Sequence, residues 1–132
     1  MIGIVGAGRV GAQAAMEIAS AEIDDIALVD IIPGLAEGEA LDICHSLSDA
    51  GLDLSVTGST DYANIKDADL VIVTAGLARK PGMTRMDLLS KNSGIVASVF
   101  RGIAKNASES VIMIVINPVD VMTYTAVSVS AS

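Results

Sequence analysis

The fold of this chain is decided near its start, where residues 2–11 read IGIVGAGRVG. Four largely apolar residues, 2–5, have the composition of a short buried strand, and a GxGxxG pattern follows them and opens a helical pattern. In such a turn the first glycine allows a tight bend and the second lets the backbone approach a phosphate group. The third lets helix and strand pack closely. The free N–H groups and the dipole of the helix N-terminus then favour a bound anion.

The rest of the chain repeats this alternation of strand and helix. Further runs rich in Ile, Val and Leu, typical of strands buried on both faces, lie at Ile26–Val29, Leu54–Val56, Leu70–Val73 and Val111–Ile116. Apolar residues recur at helical spacing within residues 10–19, 35–47 and 88–103. This order predicts an α/β fold of three layers, a Rossmann-type doubly wound parallel sheet of about five strands in the order 3-2-1-4-5.

Two details concern the longest helical segment. Thr84, with Asp87 three residues later, has the spacing of a capping pair, and it predicts that a helix begins here. Gly102 lies well inside that helix, where glycine costs about 1 kcal/mol relative to alanine. No sequence pattern explains Gly102.

An acidic residue lies where a dinucleotide site needs one. Asp30 ends the second strand, 19 residues after Gly11. In dinucleotide-binding folds a carboxylate at this place binds the hydroxyls of the adenine ribose. It would repel the 2′-phosphate of NADP, and no arginine stands within three residues of it, so we expect NAD(H) to be preferred over NADP. The alternative is a glycine-rich turn with an unrelated surface carboxylate.

Length and composition limit the remaining possibilities. The chain has 132 residues, about one domain at roughly 150 residues each, and we expect a single dinucleotide-binding domain over residues 1–132. An apolar content of 52% and a net charge of −8 exclude a disordered chain and argue against nucleic-acid and membrane partners. One cysteine and one histidine leave no cluster for a metal site. No signal peptide or membrane-spanning run is visible, so we expect a cytoplasmic protein.

One short segment of this acidic chain is cationic. Thirteen of the 16 acidic residues lie at or before Asp69, whereas Arg79, Lys80 and Arg85 fall within seven positions. They follow the end of the fourth strand, on the edge where open α/β sheets bind ligands. Two arginines six residues apart could hold carboxylate groups by paired hydrogen bonds. The alternative is a solvated basic loop, with or without pairing to the acidic first half of the chain.

Several motifs together resemble one enzyme family. In order, they are the glycine turn, Leu28–Asp30, Thr74–Gly76, Ala78–Met83 and Asn117–Asp120. From residue 2 to residue 124 the chain resembles the N-terminal half of malate dehydrogenases in the lactate/malate dehydrogenase family, and residues 74–85 look most similar to archaeal-type members. The resemblance implies a cytoplasmic NAD-dependent oxidoreductase of the tricarboxylic acid cycle. Its reaction would transfer hydride between malate or oxaloacetate and NAD.

The resemblance also implies roles for individual residues. Arg79, Arg85 and Asn117 match substrate-binding positions, and an arginine at the first of these implies a dicarboxylate. The matched cofactor-binding positions are Gly6, Ala7, Gly8, Arg9, Val10, Gly11, Asp30, Thr74, Ala75, Gly76, Asn92 and Asn117. The simpler interpretations are a helix-face amide for Asn92 and a turn residue before proline for Asn117.

The residues that the family uses for proton transfer have no match here. They are a histidine held by an aspartate, accompanied by a third arginine, and all three belong to the C-terminal half of the family's members. The one histidine, His45, lies in the second helical segment at a position that does not match. We therefore expect no catalytic residue in this chain, an absent catalytic domain, and a truncated, excised or designed module.

The end of the chain departs from the family pattern. Residues 125–132 read TAVSVSAS, with a period of two instead of the continuing helix expected after Pro118. We expect this tail to be frayed, engineered, or recruited as a strand in place of the missing sixth one. A fifth strand without that neighbour would expose an apolar edge, so we also expect self-association, as a homo-oligomer or otherwise.

Three functions are compatible with these patterns. The first is a module that binds NAD(H) and does not turn over substrate alone. The second is an active malate dehydrogenase, in which another chain supplies the acid–base pair and a dicarboxylate substrate is then bound. The third is a non-enzymatic scaffold, including a designed or isolated Rossmann domain that has lost cofactor binding. The intact glycines, Asp30, Arg79 and Arg85 argue against the third.

Overall fold

The computed structural model describes residues 1–131. In chain order the elements are β1 (Ile2–Val5), α1 (Arg9–Ser20), β2 (Ile26–Val29), α2 (Leu35–Asp49), β3 (Val56–Ser59), a 3₁₀ helix (Tyr62–Ile65), β4 (Leu70–Val73), α3 (Arg85–Asn106), β5 (Val111–Ile114) and α4 (Val119–Ser130). Strands and helices alternate along the chain, as the apolar patterns predict.

The five strands form one parallel sheet in the order β3-β2-β1-β4-β5. This confirms the predicted order. β1 lies at the centre, and its last residue, Val5, is in register with Val29 of β2 and Val73 of β4. The glycine turn, Asp30 and Thr74 therefore all leave the sheet at the same edge, where α/β sheets bind ligands.

Side chains of the central strands alternate between two cores, one on each face of the sheet. Ile4 and Leu28 pack with α1 and α2 on one face. Their chain neighbours Val5 and Val29 pack with α3 and α4 on the other. Because successive strand residues point to opposite faces, both faces of β1, β2 and β4 have to be apolar. The result is the predicted three-layer α/β/α arrangement.

The two edge strands differ from their predicted positions. β3 begins at Val56 and pairs along β2 as far as Ser59, so it follows the predicted run at 54–56 rather than coinciding with it. β5 ends at Ile114, two residues before the predicted end, and it is not buried on both faces because Val111 and Met113 are 69% and 50% exposed. No described strand pairs with the outer edge of β5. An edge strand has one neighbour, so its sequence is less constrained to be apolar.

The tail is helical, which corrects the expectation of a frayed end or an added strand. α4 continues through residues 125–130, and Met122 and Ala126 are buried in the core beside α3. The hydroxyls of Thr125 and Ser130 donate to the carbonyl oxygens of the residues four positions earlier, each at 2.9 Å. These bonds let serine and threonine occupy a helix, so the period of two did not predict the structure of this segment. Ser132 lies outside the described residues.

The contact between α3 and the 3₁₀ helix explains Gly102. A Cβ at Gly102 would lie 2.7–2.8 Å from three ring atoms of Tyr62. The helix therefore needs a residue without a side chain where the tyrosine ring packs against it.

Candidate functional site

The glycine turn is held by contacts that leave no room for side chains at two positions. Gly6 has φ of +107°, and a Cβ there would lie 2.6 Å from the backbone nitrogen of Ala75. A Cβ at Gly11 would overlap the carbonyl oxygen of Gly6. The hydroxyl of Thr74 donates to that same oxygen at 3.0 Å. The turn, the first helix and the end of β4 are therefore packed backbone to backbone, as the first and third glycines of the pattern require.

Gly8 is different because open space lies beside it. It is the N-cap residue of α1, it is exposed, and nothing lies within 4 Å of the position that a Cβ would occupy. No side chain caps the helix, and its first turn holds no acidic residue. Arg9, in that turn, is exposed. The site therefore fits a pyrophosphate: the backbone can be approached closely, and the helix end and a guanidinium both favour an anion.

Asp30 is fixed against the glycine turn. One carboxylate oxygen accepts a hydrogen bond from the backbone N–H of Ala7 at 2.7 Å, and the other accepts one from the N–H of Ile32 at 3.0 Å. Ala7 is fully buried, and its backbone reaches the site through this bond. The acid and the phosphate-binding turn thus have a defined relative position.

A groove and a smaller pocket meet beside the glycine turn and Asp30. The groove, of about 410 Å³, runs over the glycine turn from Asp30 to residues 74–78. A mostly apolar pocket of about 130 Å³ adjoins it, and both are lined by Gly6, Asp30 and Ala75. Residues on the pocket wall include Val29, Tyr62, Ile95 and Val99. A flat apolar group such as a base suits this pocket, with a ribose beside the carboxylate of Asp30.

Tyr62 is a part of this site that the sequence patterns did not reveal. Burial raises the pKa of its phenol, and the negative charge of Asp30 raises it further. Ile31 and Ile32 were missed as well, although Ile31 is 82% exposed on the groove wall. Two exposed isoleucines directly after the predicted ribose-binding acid were the one available signal, because large apolar residues at a surface often mark a binding site.

Asn92 is buried beneath the loop that follows β4, and its cofactor-binding role stays a prediction. Its side chain is 1% exposed. Its oxygen accepts a hydrogen bond from the N–H of Leu77 at 2.8 Å, and its nitrogen donates to the carbonyl oxygen of Leu77 at 3.3 Å. A Cβ at Gly76 would lie 3.1 Å from Ile116 and 3.5 Å from the Asn92 amide.

A second pocket brings together the three residues matched to substrate binding. Arg79, Arg85 and Asn117 all line a cavity of about 480 Å³. The rest of its wall is formed by Met86, Leu88, Leu89 and Pro118. Arg79 comes from the loop after β4, Arg85 from the first residue of α3, and Asn117 from the segment between β5 and α4. Residues 38 positions apart in sequence therefore converge on one cavity.

Both arginines are available to a ligand. Within residues 1–131, neither Arg79 nor Arg85 forms an ion pair with a carboxylate, so the loop is not paired with the acidic half and its cations are solvated in the free chain. The Nε atom of Arg79 donates to the carbonyl oxygen of Met83 at 3.2 Å, so the terminal nitrogens of its guanidinium remain for a ligand. A bidentate carboxylate contact uses those terminal groups.

In the described part of the chain, no cluster of three His, Cys, Asp or Glu residues could hold a metal ion. None of the described helices combines the length and apolar character needed to cross a membrane. His45 is exposed on α2 and lines neither pocket.

Comparisons with known proteins agree with this geometry. The model of the lactate/malate dehydrogenase NAD-binding domain matches residues 1–132. The malate dehydrogenase of Thermoproteus tenax is 56% identical over 125 residues, which are 94% of this chain and 41% of that protein. That of Methanosarcina barkeri is 50% identical over 125 residues, 95% of this chain and 41% of that protein.

Solved structures give the same picture. The malate dehydrogenase of Archaeoglobus fulgidus in complex with NADH superposes with a TM-score of 0.94 at 46% identity, over 99% of this chain and 45% of that one. That of Aeropyrum pernix superposes with a TM-score of 0.96 at 40% identity, over 99% and 42%. The chain spans about two fifths of the length of these relatives.

Proposed function

The chain belongs to the lactate/malate dehydrogenase family as an NAD-binding domain of the malate dehydrogenase type, and from this premise we propose that it selects NAD(H) over NADP(H) and supplies three substrate-binding residues for a dicarboxylate. The observation that carries the cofactor preference is the fixed carboxylate of Asp30 at the meeting point of the groove and the apolar pocket. A 2′-phosphate at this place would meet a negative charge, whereas two ribose hydroxyls could donate to it.

Different residues hold the different parts of the cofactor. The backbone around Gly8, with Arg9 and the N-terminus of α1, holds the pyrophosphate, and Gly6, Val10, Gly11, Thr74, Ala75 and Gly76 shape the groove. Asp30 holds the adenine ribose beside the pocket that Tyr62 lines. When bound, the nicotinamide supplies the hydride acceptor or donor. Asn117 helps to place that end next to the substrate.

The substrate proposal depends on two unpaired cations in one cavity. Arg79 and Arg85 line it together, and a dicarboxylate such as malate or oxaloacetate offers one carboxylate more than a monocarboxylate. Paired hydrogen bonds from a guanidinium to a carboxylate fix its orientation as well as its charge. A closed loop would exclude water and strengthen these contacts.

We propose that residues 1–132 alone bind the cofactor without turnover. No described histidine lines the substrate pocket, and the hydride transfer of this family needs a partner that accepts a proton. The acid–base pair would come from the C-terminal part that the family's members carry. The cytoplasmic location, the role in the tricarboxylic acid cycle and self-association belong to the same proposal. The scaffold alternative is not favoured, because the groove beside Gly8 is open.

A calorimetric titration tests the cofactor proposal. The chain should bind NADH at least tenfold more tightly than NADPH, a difference of about 1.4 kcal/mol. Asp30→Asn should reduce this preference, whereas Asp42→Asn, the same charge change at an exposed position of α2, should not. Equal binding of the two cofactors, or a preference that survives in Asp30→Asn, would refute the role of Asp30.

A second titration tests the substrate proposal. With NADH present, the non-reducible dicarboxylate tartronate should bind better than the monocarboxylate oxamate. Arg79→Gln should remove this preference. Lys80→Gln is the matched control, because Lys80 lies in the same loop but does not line the cavity. Equal losses in both variants would mean that only the net charge of the loop matters.

A further inference from the structure

The 3₁₀ helix carries the tyrosine ring that lines the apolar pocket, and it consists of the four residues Tyr62–Ile65. A single turn has too few internal hydrogen bonds to hold its own position, so contacts with other elements have to fix it. The carboxylate of Asp61 caps it by accepting a hydrogen bond from the N–H of Ala63 at 2.9 Å. Ile65 is fully buried at the other end, where a Cβ at Gly3 of β1 would lie 2.8 Å from it.

Asn64 connects this helix to two further strands. Its side-chain nitrogen donates to the carbonyl oxygen of Leu28 in β2 at 3.2 Å. Its side-chain oxygen accepts a hydrogen bond from the hydroxyl of Thr57 in β3 at 3.3 Å. Leu28 lies two residues before Asp30, and its bond with Asn64 joins positions 36 residues apart. The amide therefore holds the 3₁₀ helix against the strand that carries the ribose-binding carboxylate.

The ring of Tyr62 is held on its other side by α3. A Cβ at Gly102 would lie 2.7–2.8 Å from three of its ring atoms. Ser98 and Val99 of the same helix line the apolar pocket together with the ring, and Val29 of β2 lines it from the sheet. The ring thus lies between α3 and the end of β2, and a displacement of the 3₁₀ helix changes the width of the pocket.

We propose that Asn64 is a positioning residue of the cofactor site, which holds Tyr62 through its bonds to β2 and β3 so that the pocket beside Asp30 fits a purine base. Asn64 does not line the pocket and acts only through the 3₁₀ helix. The fit to the base rests on the proposed function, since it needs NAD(H) in the groove, whereas the anchoring of the ring is a property of the free chain. The contacts at the glycine turn and at Asp30 do not depend on Asn64, so its loss should weaken the recognition of the base in particular.

Acrylamide quenching of tyrosine fluorescence tests the anchor in the free chain. The chain has no tryptophan and two tyrosines, so in a Tyr124→Phe background the tyrosine signal comes from Tyr62. Asn64→Ala should raise the quenching constant by about twofold or more, because the ring is then held less firmly. Ser110→Ala is the matched control. It also removes a side-chain bond to a backbone carbonyl oxygen, that of Ala68, which lies before β4 and hence at the opposite edge of the sheet. Equal quenching constants in the parent and in Asn64→Ala would overturn the anchor.

The preference for a purine tests the effect on the cofactor site. The wild type should bind NADH about tenfold more tightly than reduced nicotinamide cytosine dinucleotide, whose base is the smaller pyrimidine. Asn64→Ala should lower this ratio of affinities by about threefold or more, and Ser110→Ala should leave it unchanged. Thr57→Val is nearly isosteric and removes one of the two bonds of the amide, so it should lower the ratio by less. This variant keeps the test decisive if Asn64→Ala does not fold.

A general loss of structure would weaken the binding of both dinucleotides alike. An unchanged ratio in Asn64→Ala, with both affinities reduced, would therefore show a merely structural residue and overturn the proposal. Equal binding of the two dinucleotides by the wild type would overturn it as well. If the wild type binds neither, the proposed function and the fit to the base fall together, while the quenching constants still decide whether Asn64 anchors the ring.

Discussion

Replacing Gly102 by alanine should destabilise the chain, although alanine is the better helix former. In an unobstructed helix the change contributes about 1 kcal/mol of stability. At this position the new Cβ would lie 2.7–2.8 Å from three ring atoms of Tyr62, so the ring has to move. Overpacking of this kind costs about 1–3 kcal/mol. We expect a net destabilisation of about 1 kcal/mol.

The same substitution should change sign once the ring is removed. A Tyr62→Ala background removes the three atoms nearest to the Cβ at position 102, and the gain in helix propensity of about 1 kcal/mol should then appear. The double-mutant cycle should therefore give a coupling energy of about 2 kcal/mol. Gly94→Ala is the matched control on the same helix, because nothing lies within 4 Å of its Cβ position and it should stabilise both backgrounds equally.

Urea unfolding followed by circular dichroism measures these differences in a chain that has no tryptophan. The same variants can be tested for NADH binding, since Tyr62 lines the apolar pocket beside Asp30. Gly102→Ala should weaken NADH binding by displacing the ring, whereas Gly94→Ala should not. If Gly102→Ala stabilises the wild type as much as Gly94→Ala does, the steric account of this glycine is wrong.

Three further predictions concern other elements. Thr84→Ala should lower the unfolding free energy by about 1 kcal/mol. The backbone and side chain of Thr84 hold the pKa of Asp87 below its ordinary 3.8, so the stability from this cap should be present above pH 3.8 and be lost as the pH falls below it. Unfolding at several pH values checks this, and Asp87→Asn should flatten the dependence of the unfolding free energy on pH. Gly11→Ala should cost more than the roughly 1–3 kcal/mol of ordinary overpacking, since its Cβ would overlap backbone, and NADH titration should show no binding. Met113→Lys, on the exposed face of β5, should shift sedimentation toward monomer; a wild-type monomer at the same concentration would contradict self-association.

The sequence was most informative where burial leaves few alternatives. Ile26–Val29 and Leu70–Val73 have the predicted bounds, because strands covered on both faces must be apolar along their length. The strand at Val56–Ser59 was misplaced because it pairs with one neighbour and includes polar residues. The helical end of the chain was missed because i−4 hydroxyl bonds and packing on α3 outweigh the weak helix propensity of serine and valine.

In the candidate site, too, some residues were predictable from the sequence and others were not. The glycine turn and Asp30 were predictable because a local backbone requirement selects them. Tyr62 reaches the pocket from a separate 3₁₀ helix, and no spacing rule connects it with residue 30. Asn92 matches a cofactor position by resemblance, but its two bonds to Leu77 join residues 15 positions apart and could not be read from a spacing.

The arrangement of α3 explains why the two pockets should respond together. The helix lines the dicarboxylate cavity with its first residues, holds the loop at Leu77 through Asn92, and lines the apolar pocket with Ile95. A rigid helix transmits a displacement at one end to the other, whereas α1 meets only the cofactor groove. A substitution that displaces α3 should therefore change both pockets, whereas one in α1 should change the cofactor groove alone.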